Sequence, residues 1–218
     1  MATHRALAIH ARSVYGIRSD LIEDPETDTQ VVVERFGTRG AVVCFRGSES
    51  RRDWLTNFRI YRRRTPLGAV HRGFWAAWTS VRTRVLAELV RLDPTQVFVC
   101  GHSLGGAIAT IAAVDISGAL PGPRVECVTF GAPRPGGRAL ARAARESRVA
   151  FHRYVHPADP VPRVPPVLLG NRHVCPATAI APAPGCLPCV ADVLCSPADD
   201  HDISAYVQAL GPSAPAAA

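Results

Sequence analysis

Polar residues follow several apolar runs in this chain, and one of them is a candidate nucleophile. Ser103 lies in Gly-His-Ser-Leu-Gly (101–105), between an apolar run at Val97–Cys100 and a small-residue run at Ala107–Val114. The first run predicts a buried strand and the second a helix. Glycines lack the Cβ that would clash in so sharp a strand-to-helix turn, and this context is typical of a nucleophile elbow. We predict that Ser103 attacks a carbonyl carbon; the alternative is a glycine-rich turn with an incidental serine.

Two further groups could stabilise the oxyanion that such an attack creates. The predicted helix directs its positive end at Ser103, so the amide of Leu104 is the first candidate donor. Ser48 is the second, because it follows a strand-like run and Gly47, where hydrolases with such an elbow place a donor after the third strand of the sheet. The alternative for Ser48 is an ordinary turn in which the serine caps a helix.

A serine nucleophile also needs a base and an acid that orients the base. Asp159 follows the apolar run Val149–Val155 and precedes Pro160, which keeps the local chain out of a helix. Functional groups of open α/β sheets gather outside the carboxyl ends of the strands, so Asp159 is the candidate acid; a turn-forming aspartate is the alternative. Hydrolases with this elbow carry serine, acid and histidine in that order, which leaves His173 and His201 as candidate bases. The other histidines considered either precede Asp159 or are fixed beside the nucleophile: His71, His102, His152 and His156.

The elements that must position these residues follow from hydrophobic periodicity. Apolar residues at helical spacing predict further helices at Leu7–Tyr15, Phe74–Leu92, Leu140–Arg145 and Ile203–Leu210. Apolar runs predict strands at Val31–Phe36, Ala41–Phe45, Arg124–Phe130 and Val149–Val155, the first two antiparallel to each other. The acidic stretch Asp20–Asp28, which contains Pro25, is predicted to be a loop. This order predicts a three-layer α/β-hydrolase fold, with a mostly parallel sheet and helices on both faces.

Composition limits the number of domains and the classes of partner. A chain of 218 residues that is 47% hydrophobic fits one domain, which we expect over residues 1–210, with a flexible tail at 211–218. The formal charge is +7 and all 25 basic residues are arginines, but they are spread along the chain without a nucleic-acid-binding motif, so we expect no nucleic-acid partner. The start of the sequence lacks the apolar core of a signal peptide and no stretch is long enough to span a membrane, which favours a cytoplasmic location.

Several segments in a fixed order together resemble the class 3 lipase family, the fungal-type triacylglycerol lipases and their relatives. The segments are FRGSESRRDWLTNF (45–58), VHRGF (70–74), GHSLGGA (101–107), TFGAPRPG (129–136) and DPVPRVPP (159–166). The match covers residues 45 to 206, most of the chain, and a set of ordered motifs is far less expected by chance than any one of them.

The resemblance implies roles for individual residues. Of the two candidate bases it selects His201, and it makes Ser48 the oxyanion serine. Asn57 matches a family position whose polar side chain orients the oxyanion hydroxyl. Trp54 matches the aromatic residue at the lid hinge, with a core role as its alternative, and Phe74 would line the acyl pocket.

The expected function is that of a serine hydrolase that cleaves carboxylic esters of lipids through a Ser-Asp-His triad and an acyl-enzyme. No cofactor and no metal at the site are expected, the substrate is a lipid or small ester, and the protein is expected to be a monomer. An acyltransferase that uses the same triad, or an inactive hydrolase fold that acts as a binding module, remains the alternative.

The resemblance also places a lid at about residues 59–70. This segment is short and carries Arg59, Arg62, Arg63 and Arg64, so we expect it to cover the site poorly and to admit soluble esters. The arginines predict transient contact with an anionic membrane surface, with a solvated basic loop as the alternative.

The seven cysteines fall into two groups. Cys44, Cys100 and Cys127 lie in apolar strand-like runs and are predicted to be buried thiols. The others lie in a cysteine-rich loop over 175–195 and could be zinc ligands, two disulfides or unlinked thiols: Cys175, Cys186, Cys189 and Cys195.

Overall fold

A computed structural model of the chain describes residues 2–16, 20–47, 61–180 and 201–211. Its helices are α1 (Ala2–Ser13), α2 (Arg72–Leu92), α3 (Leu104–Ala119), α4 (Arg138–Glu146) and α5 (Ile203–Ala209). Two short 3₁₀ turns, Val161–Arg163 and Val167–Leu169, lie between α4 and α5 in the chain. Within these described ranges, no helix combines the length and the apolar character needed to cross a membrane.

In the part of the chain that the structure describes, the central sheet has seven strands. Its order is β1 (Leu21–Asp24), β2 (Thr29–Phe36), β3 (Gly40–Phe45), β6 (Gln96–His102), β7 (Arg124–Phe130), β9 (Ala150–Val155) and β11 (Thr178–Ala179). Within this sheet, β3, β6, β7, β9 and β11 are parallel to one another. The remaining two strands, β1 and β2, form an antiparallel edge. A smaller sheet has the order β10 (Asn171–Arg172), β8 (Gly136–Gly137), β5 (Gly68–His71) and β4 (Arg62–Thr65).

Alternating side chains of the central strands build an apolar core on each face of the sheet. Val43 and Val99 pack into the core formed with α2, α3 and α4. Cys44 and Cys100, one residue further along each strand, pack into the core formed with α1 and α5. Successive strand residues point to opposite faces, so these runs bury both faces of the sheet. The predicted three-layer α/β-hydrolase fold is confirmed.

The loop predicted for Asp20–Asp28 is wrong over β1. Leu21 pairs with Val32 of β2, and this pairing continues to Asp24 opposite Thr29. An edge strand pairs on one side only, so it tolerates acidic side chains that would be costly in the middle of a sheet. The turn begins after β1, where the carboxylate of Asp24 accepts a hydrogen bond from the backbone N–H of Thr27 at 2.9 Å.

The described part of the segment in which a lid is predicted has regular structure. Arg62–Thr65 and Gly68–His71 form an antiparallel hairpin, and Val70 continues the pairing to Gly136. Gly68 has a φ of +97°, and a Cβ placed on it would lie 2.4 Å from the Cβ of Ala139, so the hairpin turn packs closely on α4. Backbone pairing therefore holds this segment in the second sheet, with exposed arginines along β4. Residues 59 and 60 lie outside the described ranges.

Candidate active site

Ser103 occupies the turn between β6 and α3 with a strained backbone. Its φ of 57° and ψ of −131° fall where residues with side chains are rarely found. The tight packing of strand on helix explains the flanking glycines, because a Cβ on Gly101 would lie 2.4 Å from the carbonyl carbon of Gly105. The Ser103 side chain does not cap α3, so its hydroxyl is available for other partners.

The structure brings together the three residues predicted from the sequence to carry the chemistry. Ser103 Oγ lies 2.8 Å from Nε2 of His201, and Nδ1 of His201 lies 2.7 Å from Oδ2 of Asp159. All three are buried, with 7%, 3% and 1% exposure for Ser103, His201 and Asp159. A carboxylate only accepts, so Nδ1 of His201 carries the proton, and the lone pair on Nε2 faces the serine hydroxyl. This arrangement can take a proton from Ser103 as its oxygen attacks.

Further hydrogen bonds fix the carboxylate of Asp159. Its Oδ1 accepts from the N–H of Val161 at 2.9 Å, and its Oδ2 also accepts from the hydroxyl of Tyr206 at 2.8 Å. Burial and the nearby Asp159 raise the pKa of Tyr206, so its hydroxyl remains a proton donor. The sequence analysis missed this residue. Its signal was a tyrosine on the apolar face of α5, where a buried hydroxyl needs a partner.

His102 holds the loop that carries the candidate base. Its Nε2 donates to the backbone carbonyl of His201 at 2.7 Å, and its Nδ1 lies 3.0 Å from the hydroxyl of Tyr15. The sequence analysis set His102 aside because it is fixed on the elbow, and so missed this contact. No local pattern around His102 or Tyr15 indicated it, since the partners are far apart in sequence.

Gly131, at the end of β7, leaves room for the same side chains. Its φ is +58°, and a Cβ there would lie 2.7 Å from Asp159 Oδ2 and 3.1 Å from Cε1 of His201. The left-handed backbone and the lack of space both require glycine. The sequence analysis included Gly131 only within the family segment TFGAPRPG (129–136) and gave it no role.

Of the two predicted oxyanion donors, only Leu104 lies within the described residues. Leu104 is the first residue of the 16-residue helix α3, so its N–H lies at the positive end of the helix dipole beside Ser103. Ser48, Trp54 and Asn57 lie outside the described residues. Gly47 leads toward them, and a Cβ placed on it would lie 3.4 Å from the Cβ of Ser103. The last described residue before them, Gly47, therefore lies beside the candidate nucleophile.

Phe74 and His173 occupy other positions. Phe74 is buried in the first turn of α2, with its ring centroid 4.3 Å from that of His71; its place in an acyl pocket stays a prediction. His173 donates from Nε2 to the carbonyl of Pro162 at 2.8 Å. Burial and the charge of Arg153 lower the pKa of His173 to about 3. His173 is therefore engaged elsewhere, and His201 is the histidine that meets Ser103.

The four cysteines in the described ranges are free thiols. Cys44, Cys100 and Cys127 are buried in their strands, as predicted, and Cys175 is half-buried. Burial raises the pKa of Cys175 and so favours its neutral thiol. Cys186, Cys189 and Cys195 lie outside the described residues, so zinc, disulfides and unlinked thiols stay open as predictions for the loop.

The fold and the Ser103–His201–Asp159 arrangement define an α/β hydrolase with a nucleophile elbow. The profile of the family described as Lipase (class 3) matches residues 42–169. The chain belongs to the class 3 lipase family, as the sequence motifs predicted.

Relatives and a solved structure agree with this membership. The chain is 39% identical over 142 residues to secreted mono- and diacylglycerol lipase 1 of Fusarium solani, covering 62% of this chain and 42% of the relative. It is 36% identical over 165 residues to secreted mono- and diacylglycerol lipase A of Penicillium cyclopium, covering 72% and 53%. The native Rhizomucor miehei lipase propeptide complex superposes with a TM-score of 0.69 at 26% identity, covering 82% of this chain and 64% of that one.

These comparisons correct the predicted location. The chain spans about half the length of these two curated relatives. Both are named as secreted proteins, which points to an extracellular rather than a cytoplasmic location. The cytoplasmic prediction is wrong: it rested on the missing signal-peptide pattern and the missing membrane span, and neither absence fixes where a protein acts.

Proposed function

We propose that this protein hydrolyses carboxylic esters of lipids with Ser103 as nucleophile, His201 as base and Asp159 as the acid that orients the base. The observation that carries this proposal is the continuous pair of hydrogen bonds, 2.8 Å from Ser103 to His201 and 2.7 Å from His201 to Asp159. Burial of all three side chains supports it, because electrostatic stabilisation is stronger where water is excluded.

The proposed reaction has two halves. Nε2 of His201 takes the hydroxyl proton as Ser103 Oγ attacks the ester carbonyl, and Asp159 stabilises the imidazolium. The amide of Leu104 and the groups of Ser48 hold the oxyanion, with Asn57 orienting the Ser48 hydroxyl. His201 then gives its proton to the leaving alcohol. Water, deprotonated by His201, finally releases the acid from the acyl-enzyme.

We propose partial glycerides as the substrate class, because two relatives are named mono- and diacylglycerol lipases. The same names favour hydrolysis over the acyltransferase alternative. The intact hydrogen-bonded set of serine, histidine and aspartate argues against an inactive fold used for binding.

A surface patch supports contact with an anionic lipid surface. The 3₁₀ turn Val167–Leu169 exposes Leu168 to 98% and its two neighbours by more than two-fifths. Arg62, on the hairpin, donates to the carbonyl of Gly170 at 3.2 Å, which places basic β4 beside this turn. Apolar side chains next to arginines suit an interface with anionic headgroups. We propose that the protein acts there as a monomer with one domain over residues 1–210.

The test compares wild type with Ser103→Ala. Wild type should react with a fluorophosphonate probe and release fatty acid from monoacylglycerol and short p-nitrophenyl esters, whereas Ser103→Ala should do neither. Adding an alcohol acceptor separates the alternatives, since an acyltransferase would form mainly the new ester. A folded wild-type protein that neither reacts with the probe nor turns over any ester would refute the proposal.

A further inference from the structure

Ligand-type side chains from three elements meet on the sheet away from the catalytic serine. They are His4 of α1, Glu126 of β7 and His152 of β9. Nε2 of His4 lies 2.7 Å and Nε2 of His152 lies 3.4 Å from the same oxygen, Oε1 of Glu126. Phe130, whose carbonyl accepts from the Ser103 N–H, is four residues further along β7 than Glu126, so the backbones of these two residues are about 13 Å apart.

We infer that His4, Glu126 and His152 form a binding site for Zn²⁺. Two imidazoles and one carboxylate are a donor set that zinc prefers, with water in the fourth position. Ligands at about 2.0–2.2 Å in tetrahedral geometry lie about 3.3 Å from one another. The 3.4 Å between His152 and Glu126 matches this spacing. The 2.7 Å between His4 and Glu126 is a hydrogen-bond distance, and it needs to open by about 0.6 Å to admit the ion.

Groups around the cluster are placed to orient its ligands. Nδ1 of His4 lies 2.7 Å from the hydroxyl of Tyr154, and Gln96 donates to Oε2 of Glu126 at 3.4 Å. Histidine ligands usually hydrogen-bond through their second ring nitrogen, which fixes the ring and its tautomer. A tyrosine hydroxyl both donates and accepts, so His4 can move its proton from Nε2 to Nδ1 and free Nε2 for the metal.

Two histidines share one carboxylate in this cluster, so an ion pair between Glu126 and one protonated histidine does not account for both rings. Their ring centroids are 4.5 Å apart, so two protonated rings would repel each other. A bound zinc ion would use both lone pairs and hold α1 against β7 and β9.

The test uses protein without a histidine tag, stripped of metal with a chelator and titrated with Zn²⁺. At zinc concentrations about 100 times Kd, the melting temperature of wild type should rise by about 5–10 °C. Glu126→Gln and His152→Ala should remove this rise, and Tyr154→Phe should weaken zinc binding about tenfold or more. The matched control is His10→Ala. It removes another histidine of α1, one that pairs with Glu34 of β2, and it should leave zinc binding unchanged.

The cysteine-rich loop is a competing site, so a variant with serine at its four cysteines is titrated in parallel. It should keep the zinc response, and Co²⁺ bound to it should give visible d–d bands without a thiolate charge-transfer band. Zinc binding that survives Glu126→Gln and His152→Ala, or that disappears with the cysteines, would overturn the inference. So would the absence of any response in wild type. These readouts do not depend on ester hydrolysis, so they are independent of the proposed function.

Discussion

The ring of His102 is hydrogen-bonded to the backbone of His201, with Nε2 2.7 Å from the carbonyl oxygen. A carbonyl only accepts, so Nε2 carries the proton, and in the neutral ring Nδ1 accepts from the hydroxyl of Tyr15 at 3.0 Å. His102 is also the residue before Ser103. The side chain of His102 therefore couples the position of the nucleophile to that of the base, and Tyr15, two residues after the end of α1, supports it.

We predict that His102→Leu lowers kcat by roughly 10- to 100-fold with little change in KM. The reason is that a displacement of about 1 Å in a reacting group can cost about 100-fold in rate. His102→Gln keeps an N–H donor and should recover most of the activity. Steady-state kinetics on a soluble ester, together with the rate of fluorophosphonate labelling, measure the effect.

Tyr15→Phe is the graded control for this chain of hydrogen bonds. It removes only the outer hydroxyl, so its loss of kcat should be less than about tenfold. Melting temperatures of all variants separate stability from positioning. Equal activities of His102→Leu and His102→Gln would show that the hydrogen bond to His201 does not position the base.

A second prediction concerns Gly131. Gly131→Ala should abolish most activity, because its Cβ would lie 2.7 Å from Asp159 Oδ2. It should also destabilise the protein by about 1–3 kcal/mol, because alanine is strained at a φ of +58°. The paired control is Gly118→Ala in α3, where a Cβ meets nothing within 4 Å.

The control should raise stability by about 0.5–1 kcal/mol and leave kcat unchanged. Chemical denaturation and ester kinetics on both variants provide the comparison. A fully active Gly131→Ala would contradict the view that glycine is needed there for space.

Local patterns were enough to predict the core of the fold and two residues of the candidate site, Ser103 and Asp159. The elbow around Ser103 and the strand before Asp159 are written in short stretches, because strand and turn preferences are local. The choice of His201 over His173 needed the family resemblance. Only the folded chain gives a physical reason for this choice, since His173 is hydrogen-bonded to the carbonyl of Pro162 and His201 to Ser103.

The features that sequence reasoning missed depend on partners distant in the chain. Tyr206 meets Asp159 and His102 meets His201 only after the sheet has formed. The acidic composition of β1 predicted a loop. Pairing with β2 overrides this local preference and makes the segment a strand. The hairpin pairing of Arg62–Thr65 with Gly68–His71 was not predicted, because exposed strands and loops share a polar composition. The lid role of the segment stays a prediction.

A third prediction tests the proposed lipid-facing surface. Leu168→Ser should weaken binding to anionic vesicles by up to about tenfold, because a fully exposed leucine can bury its side chain in the interface. Val90→Ser is the matched control, since Val90 is an apolar residue of α2 that is 64% exposed. This substitution should leave vesicle binding unchanged.

Replacing Arg63 and Arg64 by glutamine should weaken binding to anionic vesicles but leave binding to neutral vesicles unchanged, because each arginine contributes about 1 kcal/mol at an anionic surface. High salt should reduce the same difference. Vesicle co-sedimentation measures both effects. Equal losses for Leu168→Ser and Val90→Ser would count against a specific surface.

The last prediction concerns stability in acid and rests on His173. Its pKa is lowered from 6.5 to about 3 by burial and by the charge of Arg153. Between these values the unfolded chain binds a proton at this position and the folded chain does not, so stability is complete above about pH 6.5 and falls as the pH falls toward about 3. From about pH 7.5 to about pH 4.5 this histidine should cost about 2–3 kcal/mol of unfolding free energy.

His173→Gln should remove that share of the acid sensitivity, because glutamine does not titrate and its amide can still donate to the carbonyl of Pro162. His173→Ala should flatten the pH dependence equally but lower stability at every pH, since it leaves a cavity and an unpaired carbonyl. Urea denaturation at the two pH values measures the slopes. If all three proteins lose the same free energy of unfolding between the two pH values, His173 is not the neutral histidine that its desolvated surroundings favour.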